Sequence, residues 1–256
     1  MTSRHLPSAI RPGLPRGLIL LTATALLAGE PAAGSSETPE DESREVVVLL
    51  HGLGRSDRSM RPLESRLDAA GFRVFNLRYA STSLPPDALI ADLQRQIAAC
   101  CAAAPRLHFV THSLGGILLR ALVATHEVPH LARVVMLAPP NHGSEIVDRF
   151  GDSSLFESAL GRTASELGTD PESLPNRLPP PAFELGVIAG TASVNPLGSA
   201  ILPGEDDGAV SVERTRIAGM SDFLELPVSH TFIMRSDLVA QQTILFLRTG
   251  RFRHVR

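Results

Sequence analysis

The sequence predicts an α/β fold in which about six mostly parallel strands form one sheet with helices on both faces. Three observations support this prediction. Short β-branched runs such as 46–50 are apolar without alternation, which is typical of strands buried on both faces. Segments with helical apolar spacing separate these runs. The alternation of the two kinds of segment is that of βαβ units, which build parallel sheets.

In the first half of the chain the sequence predicts strands at 45–50, 72–77 and 107–111, separated by helices at 59–70 and 85–103. The first helix carries Met60, Leu63 and Leu67 at helical spacing, and Gly71 ends it. The second helix opens at a proline pair, which the first turn of a helix tolerates.

In the second half the sequence predicts a helix at 114–125, strands at 133–138, 183–189 and 222–227, and a last helix at 231–247. Between the strands at 133–138 and 183–189 the pattern loosens and is rich in Gly, Pro, Ser and Asp. Because the carboxyl ends of parallel strands meet at one edge of the sheet, we expect the functional residues in the loops that follow the strands.

The amino terminus has the order of a secretory signal. A basic stretch without acidic residues precedes an apolar run at 17–28, and small residues follow. The sequence therefore predicts a signal peptide at 1–34, a flexible linker at 35–44 and one folded domain at 45–256. We expect an exported protein, either periplasmic or secreted. The alternative is an uncleaved segment that anchors the chain to the membrane.

The composition excludes several classes of function. The net charge is only −3, so nothing indicates nucleic acid as a partner. The chain has no lysine, which excludes Ser–Lys catalysis, Schiff-base chemistry and a Walker-type phosphate loop. Its two cysteines, Cys100 and Cys101, are adjacent, and because neighbouring cysteines rarely reach disulfide geometry, no bridge is predicted.

The strongest motif is the segment 111–116, Thr-His-Ser-Leu-Gly-Gly, between a predicted strand and a helix. A nucleophilic serine needs such a tight turn, with small residues two positions before and after it. Gly115 fits this rule, whereas Thr111 stands where the motif prefers glycine. Ser113 is the predicted nucleophile. The alternative is that Ser113 only caps the helix.

The segment 51–54, His-Gly-Leu-Gly, follows the first strand, where backbone donors for a developing oxyanion are needed. The amides of Leu53 and Leu114 are the predicted pair. The alternative is an ordinary glycine-rich turn.

An acid and then a base are expected later in the chain. The segment 205–210 offers Asp206 and Asp207, and His230 follows the last strand. Asp207 is preferred, because Gly208 allows a sharp turn directly after it. His230 would accept the proton of the nucleophile and be oriented by the carboxylate.

Together with the Asn-His-Gly-Ser run at 141–144, these motifs resemble bacterial lipases and esterases of the α/β-hydrolase superfamily, over about residues 45–250. The resemblance implies a minimal α/β-hydrolase fold with Ser113 as nucleophile, Asp207 as acid and His230 as base. It also implies a lid-like insertion at 141–181. In this insertion Phe156, Leu160, Ala164 and Leu167 are expected on one helical face, which would either sense lipid or pack onto the core.

The sequence therefore predicts an esterase or lipase that works through an acyl-enzyme and needs no metal or organic cofactor. The expected substrate is a small-molecule or lipid ester, with contact to a membrane surface in the second case, and we expect a monomer. The predicted substrate-lining residues are His51, His112, Asn141 and His142. The alternatives are an acyltransferase with the same triad and a non-catalytic binding protein of the cell envelope.

Overall fold

A computed structural model describes residues 43–254 of the chain. Its six-stranded sheet consists of β1 (Val46–Leu50), β2 (Arg73–Leu77), β3 (Leu107–His112), β4 (Leu131–Leu137), β5 (Glu184–Gly190) and β6 (Asp222–Leu226). The strands lie in the order β2-β1-β3-β4-β5-β6, and every neighbouring pair is parallel. The structure therefore confirms the predicted α/β class and its parallel sheet.

Three long helices connect the first four strands, and a fourth follows β6: α1 (Arg61–Ala69), α2 (Pro86–Cys101), α3 (Leu114–Thr125) and α10 (Asp237–Thr249). The chain between β4 and β5 forms the short helices α4 (Glu145–Phe150), α5 (Ser154–Leu160), α6 (Arg162–Ser165) and α7 (Leu174–Arg177). The chain between β5 and β6 forms α8 (Pro196–Ser199) and α9 (Val212–Thr215). Two 3-10 turns lie at Asp57–Ser59 and Ile233–Arg235.

The sheet is buried on both faces. Successive side chains of a strand point to opposite faces, so alternate residues of β1 join different cores. Val46, Val48 and Leu50 pack with residues of α2 and α3, whereas Val47 and Leu49 pack with residues of α1 and α10. Burial of each such side chain stabilises the fold by about 1.5–3 kcal/mol. The loops at the carboxyl ends of the strands are therefore mounted on a rigid platform.

The last helix begins later than its apolar spacing predicts. It starts at Asp237 because the side chain of Ser236 caps it, accepting a hydrogen bond from the amide of Val239. The residues just after His230 form the 3-10 turn Ile233–Arg235 instead. His230 therefore lies in a loop of its own, several residues before the helix.

The insertion at 141–181 does not contain the single apolar helix that its spacing predicts. Gly161, with φ +77°, separates α5 from α6, so the four expected apolar residues do not share one helical face. Ala164 and Leu167 are buried, and Phe156 packs partly against the core. The core-packing alternative therefore describes these three residues.

Cys100 and Cys101 form a disulfide at the carboxyl end of α2, so the expectation that this pair stays unbridged is wrong. The two residues are neighbours in the chain, with Cα atoms 3.8 Å apart. The bridge therefore closes no long loop and crosslinks no distant elements of the fold.

The predicted signal peptide and all of the linker except residues 43 and 44 lie outside the described residues. Arg44 is attached to the domain, because its guanidinium donates to the carbonyl of Gly71 and to a carboxylate oxygen of Asp68, both at 3.0 Å. Within residues 43–254 no helix is both long enough and apolar enough to cross a membrane.

Candidate active site

Ser113 lies at the sharp turn between β3 and α3. Its backbone has φ 52° and ψ −120°, a conformation that non-glycine residues rarely adopt and that persists only where the surrounding structure imposes it. The Ser113 amide donates to the carbonyl of Leu137, at the end of β4, at 2.9 Å. The Ser113 side chain makes no capping hydrogen bond to α3. The geometry is that of a strained nucleophile turn and not that of a helix cap.

The turn requires glycine after the serine. A Cβ atom on Gly115 would lie 2.7 Å from the carbonyl oxygen of Leu50 and 2.9 Å from that of His51. Two residues before the serine, Thr111 is fully buried, and the space for its side chain comes from Gly116, where a Cβ would lie 3.1 Å from the Thr111 hydroxyl. That hydroxyl has no hydrogen-bond partner. The relaxed first position is therefore accommodated at the cost of an unpaired buried hydroxyl.

Asp207 and His230 are joined directly. The imidazole Nδ1 lies 2.7 Å from Oδ2 of Asp207, and because a carboxylate only accepts, Nδ1 carries the proton. The other carboxylate oxygen, Oδ1, accepts from the amides of Ala209 at 3.0 Å and Val210 at 2.8 Å. The His230 amide also donates to the Asp207 carbonyl, at 3.0 Å. Asp207 is 1% exposed. Its carboxylate therefore depends on three protein donors, the His230 ring and the amides of Ala209 and Val210, in place of water.

Asp206 points in another direction. Its Oδ1 accepts from the hydroxyl of Ser199 at 2.6 Å and from the amide of Gly208 at 2.7 Å. Adjacent side chains in an extended segment point to opposite sides, and here only Asp207 reaches His230. Gly208, with φ +95°, makes the turn that follows.

The serine and the histidine come to the same edge of the sheet without a hydrogen bond between them. Ser113 directly follows His112, whose ring centroid is 4.8 Å from that of His230. Within residues 43–254 the Ser113 hydroxyl makes no hydrogen bond. Catalytic hydrogen bonds of this kind are often long in the free protein and tighten when substrate binds.

The amides of Leu53 and Leu114 are both available to a ligand. Leu114 is the first residue of α3, where helical amides have no intrahelical acceptor, and Leu53 lies in the loop after β1. In the described part of the chain neither amide donates a hydrogen bond to another residue. A Cβ atom on Gly52 would lie 3.2 Å from Cβ of Ser113, so the loop of Leu53 passes directly against the nucleophile turn.

His112 is buried at the end of β3. It is 1% exposed, and its Nε2 donates to the backbone carbonyl of His230 at 3.1 Å. Burial lowers the pKa of His112 well below its usual value, and the charges of His230 and Arg55 lower it further. His112 is therefore a neutral support for the backbone of His230.

His51 is also buried and stacks on Tyr79, with ring centroids 3.9 Å apart and an interplanar angle of 8°. The Tyr79 hydroxyl donates to the His51 carbonyl, which fixes the start of the loop 51–54. Burial lowers the pKa of His51 and raises that of Tyr79, so both side chains stay neutral at ordinary pH.

Asn141 is fully buried as well and joins two distant parts of the chain. Its Nδ2 donates to the carbonyl of Thr215 at 2.8 Å, and its Oδ1 accepts from Nη1 of Arg120 at 3.3 Å. His142 is the exposed member of the predicted substrate-lining set, and its ring lies 3.1 Å from Oδ1 of Asn176. The structure thus places His51, His112 and Asn141 behind the site surface.

Sequence reasoning missed two residues that build the site. Tyr79 follows β2 and holds the loop after β1, and Arg120 lies in the middle of α3. Arg120 donates to the carbonyls of Asn141 at 3.2 Å and Leu178 at 3.2 Å, and burial lowers its pKa to about 10. An arginine on the buried side of an otherwise apolar helix is the one signal in the sequence that could have revealed it.

A family model described as the alpha/beta hydrolase family matches residues 47–243. A comparison with curated protein sequences found no match. Among solved structures, the mature lipase BlEst2 of Bacillus licheniformis is 20% identical over 86% of this chain and 96% of that one, with a TM-score of 0.63. Phospholipase PlaB of Legionella pneumophila is 18% identical over 81% and 60%, with a TM-score of 0.65. A metagenomic carboxyl esterase is 17% identical over 88% and 80%, with a TM-score of 0.61. At these identities the three structures share the fold with this chain.

Proposed function

The chain belongs to the alpha/beta hydrolase family, as its motifs predict, and from this premise we propose that it cleaves carboxylic esters as a serine hydrolase, an esterase or lipase. The observation that carries the proposal is the hydrogen bond of 2.7 Å between His230 and the buried Asp207, on the same sheet edge as the strained turn of Ser113. This arrangement supplies a base with a fixed tautomer and a nucleophile that is free to react.

In the proposed reaction the Ser113 hydroxyl attacks the ester carbonyl while Nε2 of His230 takes its proton. The carbonyl oxygen becomes an oxyanion, and the Leu53 and Leu114 amides stabilise it. His230 then gives the proton to the leaving alcohol, which leaves an acyl group on Ser113. Water then attacks the acyl carbonyl and gives one proton to Nε2 of His230. The bond between the acyl carbon and Oγ of Ser113 breaks as His230 returns that proton to Oγ, and the carboxylic acid departs.

Asp207 performs two tasks in this cycle. It fixes the proton on Nδ1, so Nε2 is free to accept from the serine, and its charge stabilises the imidazolium that forms. The two amides that bind Oδ1 prevent the carboxylate from rotating away. The donor role of His112 toward the His230 carbonyl holds the same loop from below.

The experiment that tests the proposal compares the wild type with Ser113→Ala, using hydrolysis of 4-nitrophenyl butanoate and labelling by a fluorophosphonate. We expect Ser113→Ala to lose both activity and label while its melting temperature stays within a few degrees. Ser65→Ala, which changes an exposed serine on α1, is the matched control and should keep both. Activity that survives in Ser113→Ala would contradict the proposal, and an unlabelled wild type would favour a non-catalytic binding protein.

We also propose that the protein is exported and acts as a monomer on a small-molecule or lipid ester. The basic and apolar pattern of residues 1–34 supports export, with cleavage near Ser35. Sequencing the amino terminus of protein from the cell envelope tests this. An intact Met1 in the cytoplasm would contradict export, and an intact Met1 in the membrane would favour the anchored form.

A further inference from the structure

A cavity of about 890 Å³ lies beside the loop that carries Leu53. It is bounded by Gly54 and Arg55 of that loop, by the chain that follows β2, by α2 and by Ala159 of α5. Its volume is in the range that holds a small organic ligand. Gly54 and Arg55 directly follow Leu53 in the chain, so the cavity begins at the loop that carries the proposed oxyanion donor.

The cavity is basic. Three arginines, Arg55, Arg78 and Arg95, and one acid, Asp92, line it. Arg95 is paired with Asp92 at 2.9 Å, and Arg78 approaches Asp57 only at 4.0 Å. An uncharged acyl chain would bind more tightly to an apolar lining than to this one.

Of the three arginines that line the cavity, Arg55 is the one without a carboxylate partner among the described residues. Among residues 43–254 no carboxylate lies within 4.0 Å of its guanidinium, and its side chain makes no hydrogen bond to a described residue. The side chain is half-buried. Its positive charge also helps to lower the pKa of His112, which donates to the carbonyl of His230. A half-buried guanidinium without a partner favours a ligand that brings a negative charge.

We propose that this cavity binds an anionic group, a carboxylate or a phosphate, on the ester substrate, with Arg55 as its principal ligand and Arg78 beside it. A guanidinium pairs with either group through two parallel hydrogen bonds, which also fixes the orientation of the substrate. The inference rests on the proposed ester hydrolysis and assigns it a class of substrate: esters that carry a negative charge near the scissile bond.

Two matched pairs of esters test the assignment and distinguish the sources of the charge. The first pair is the mono-4-nitrophenyl ester of glutaric acid, which has a free carboxylate, and 4-nitrophenyl pentanoate, which is neutral and of equal chain length. The second pair is dihexanoyl glycerol phosphate and dihexanoyl glycerol. We expect kcat/KM to favour the anionic member of at least one pair by about tenfold or more.

Arg55→Gln should remove that preference, with a loss in kcat/KM about tenfold larger on the anionic ester than on the neutral ester. Arg78→Gln should reduce it less, because the Arg78 side chain is 82% exposed and screened by solvent. Arg58→Gln is the matched control, since Arg58 is an exposed arginine that does not line the cavity. Equal losses on both members of a pair in Arg55→Gln, or no anionic preference in either pair, would overturn the proposal.

A binding measurement separates this inference from the proposed chemistry. Ser113→Ala is titrated calorimetrically with monoethyl glutarate, with and without Arg55→Gln. If the wild type hydrolysed no ester while binding to Ser113→Ala still depended on Arg55, the anion site would stand and the proposed function would fall. Intact hydrolysis without Arg55-dependent binding would remove the anion site alone.

Discussion

Replacing Asp207 by asparagine moves the proton of His230 from one ring nitrogen to the other, while the shape of the site stays the same. Oδ1 of Asp207 accepts from the amides of Ala209 and Val210, so the oxygen of the new amide must take that position. Its NH₂ group then takes the place of Oδ2, 2.7 Å from Nδ1. Because NH₂ can only donate there, Nδ1 becomes the acceptor and Nε2 holds the proton. The imidazole can no longer accept from Ser113.

Comparable triads lose roughly 10⁴-fold in turnover on this change, which corresponds to about 5 kcal/mol of transition-state stabilisation. We expect a loss of that size in kcat for Asp207→Asn, measured on 4-nitrophenyl butanoate. Asp206→Asn should lose at most about tenfold, because its side chain bonds to Ser199 and Gly208 instead of the base. If Asp206→Asn were the more damaged variant, or Asp207→Asn lost less than about tenfold, the assignment of the acid would be refuted.

Three further predictions concern stability. Thr111→Val removes a buried hydroxyl without a partner, and we expect Tm to rise by roughly 2–4 °C in calorimetry; a lower Tm would contradict this. Arg120→Met leaves the buried carbonyl of Asn141 and the half-buried carbonyl of Leu178 without their donor, so we expect a loss of about 3 kcal/mol and a Tm lower by roughly 6–12 °C; an unchanged Tm would count against the role of Arg120. His108 is a fully buried residue of β3. Burial lowers the pKa values of His51, His108 and His112 below the usual 6.5, so the unfolded chain binds more protons in acid. Their contribution to stability is complete above about pH 6.5 and is lost as the pH falls below it. Tm should fall between about pH 7 and pH 5, and His112→Gln should make that fall smaller; an equally steep fall would contradict the buried neutral state.

The sheet could be predicted because strands that are buried on both faces have apolar residues at every position. Residues 46–50 are apolar at every position, and the structure buries every one of them. The order of the motifs along the chain could be predicted for the same reason, since each follows a recognisable strand. The boundaries of the insertion's helices could not, because Gly161 interrupts an apolar spacing that otherwise reads as continuous.

The supporting residues of the site could not be predicted, since their partners are distant in the chain. His112 directly precedes Ser113, and its position in the motif predicts a substrate-lining residue, but it is the last residue of β3 and its side chain is buried. Arg120 meets carbonyl groups that lie 21 and 58 residues further on. No local sequence pattern predicts these long-range contacts, because they depend on the path by which the insertion returns to the sheet.

The contacts of Arg120 also bear on how this enzyme could diversify. One guanidinium holds Asn141 and Leu178, which stand at the two ends of the insertion. With its ends clamped at a fixed separation, the segment between them can change in length for only a modest loop-closure entropy. Exchanging residues 145–177 between homologous proteins should therefore alter substrate range while the framework of Ser113, Asp207 and His230 is inherited unchanged.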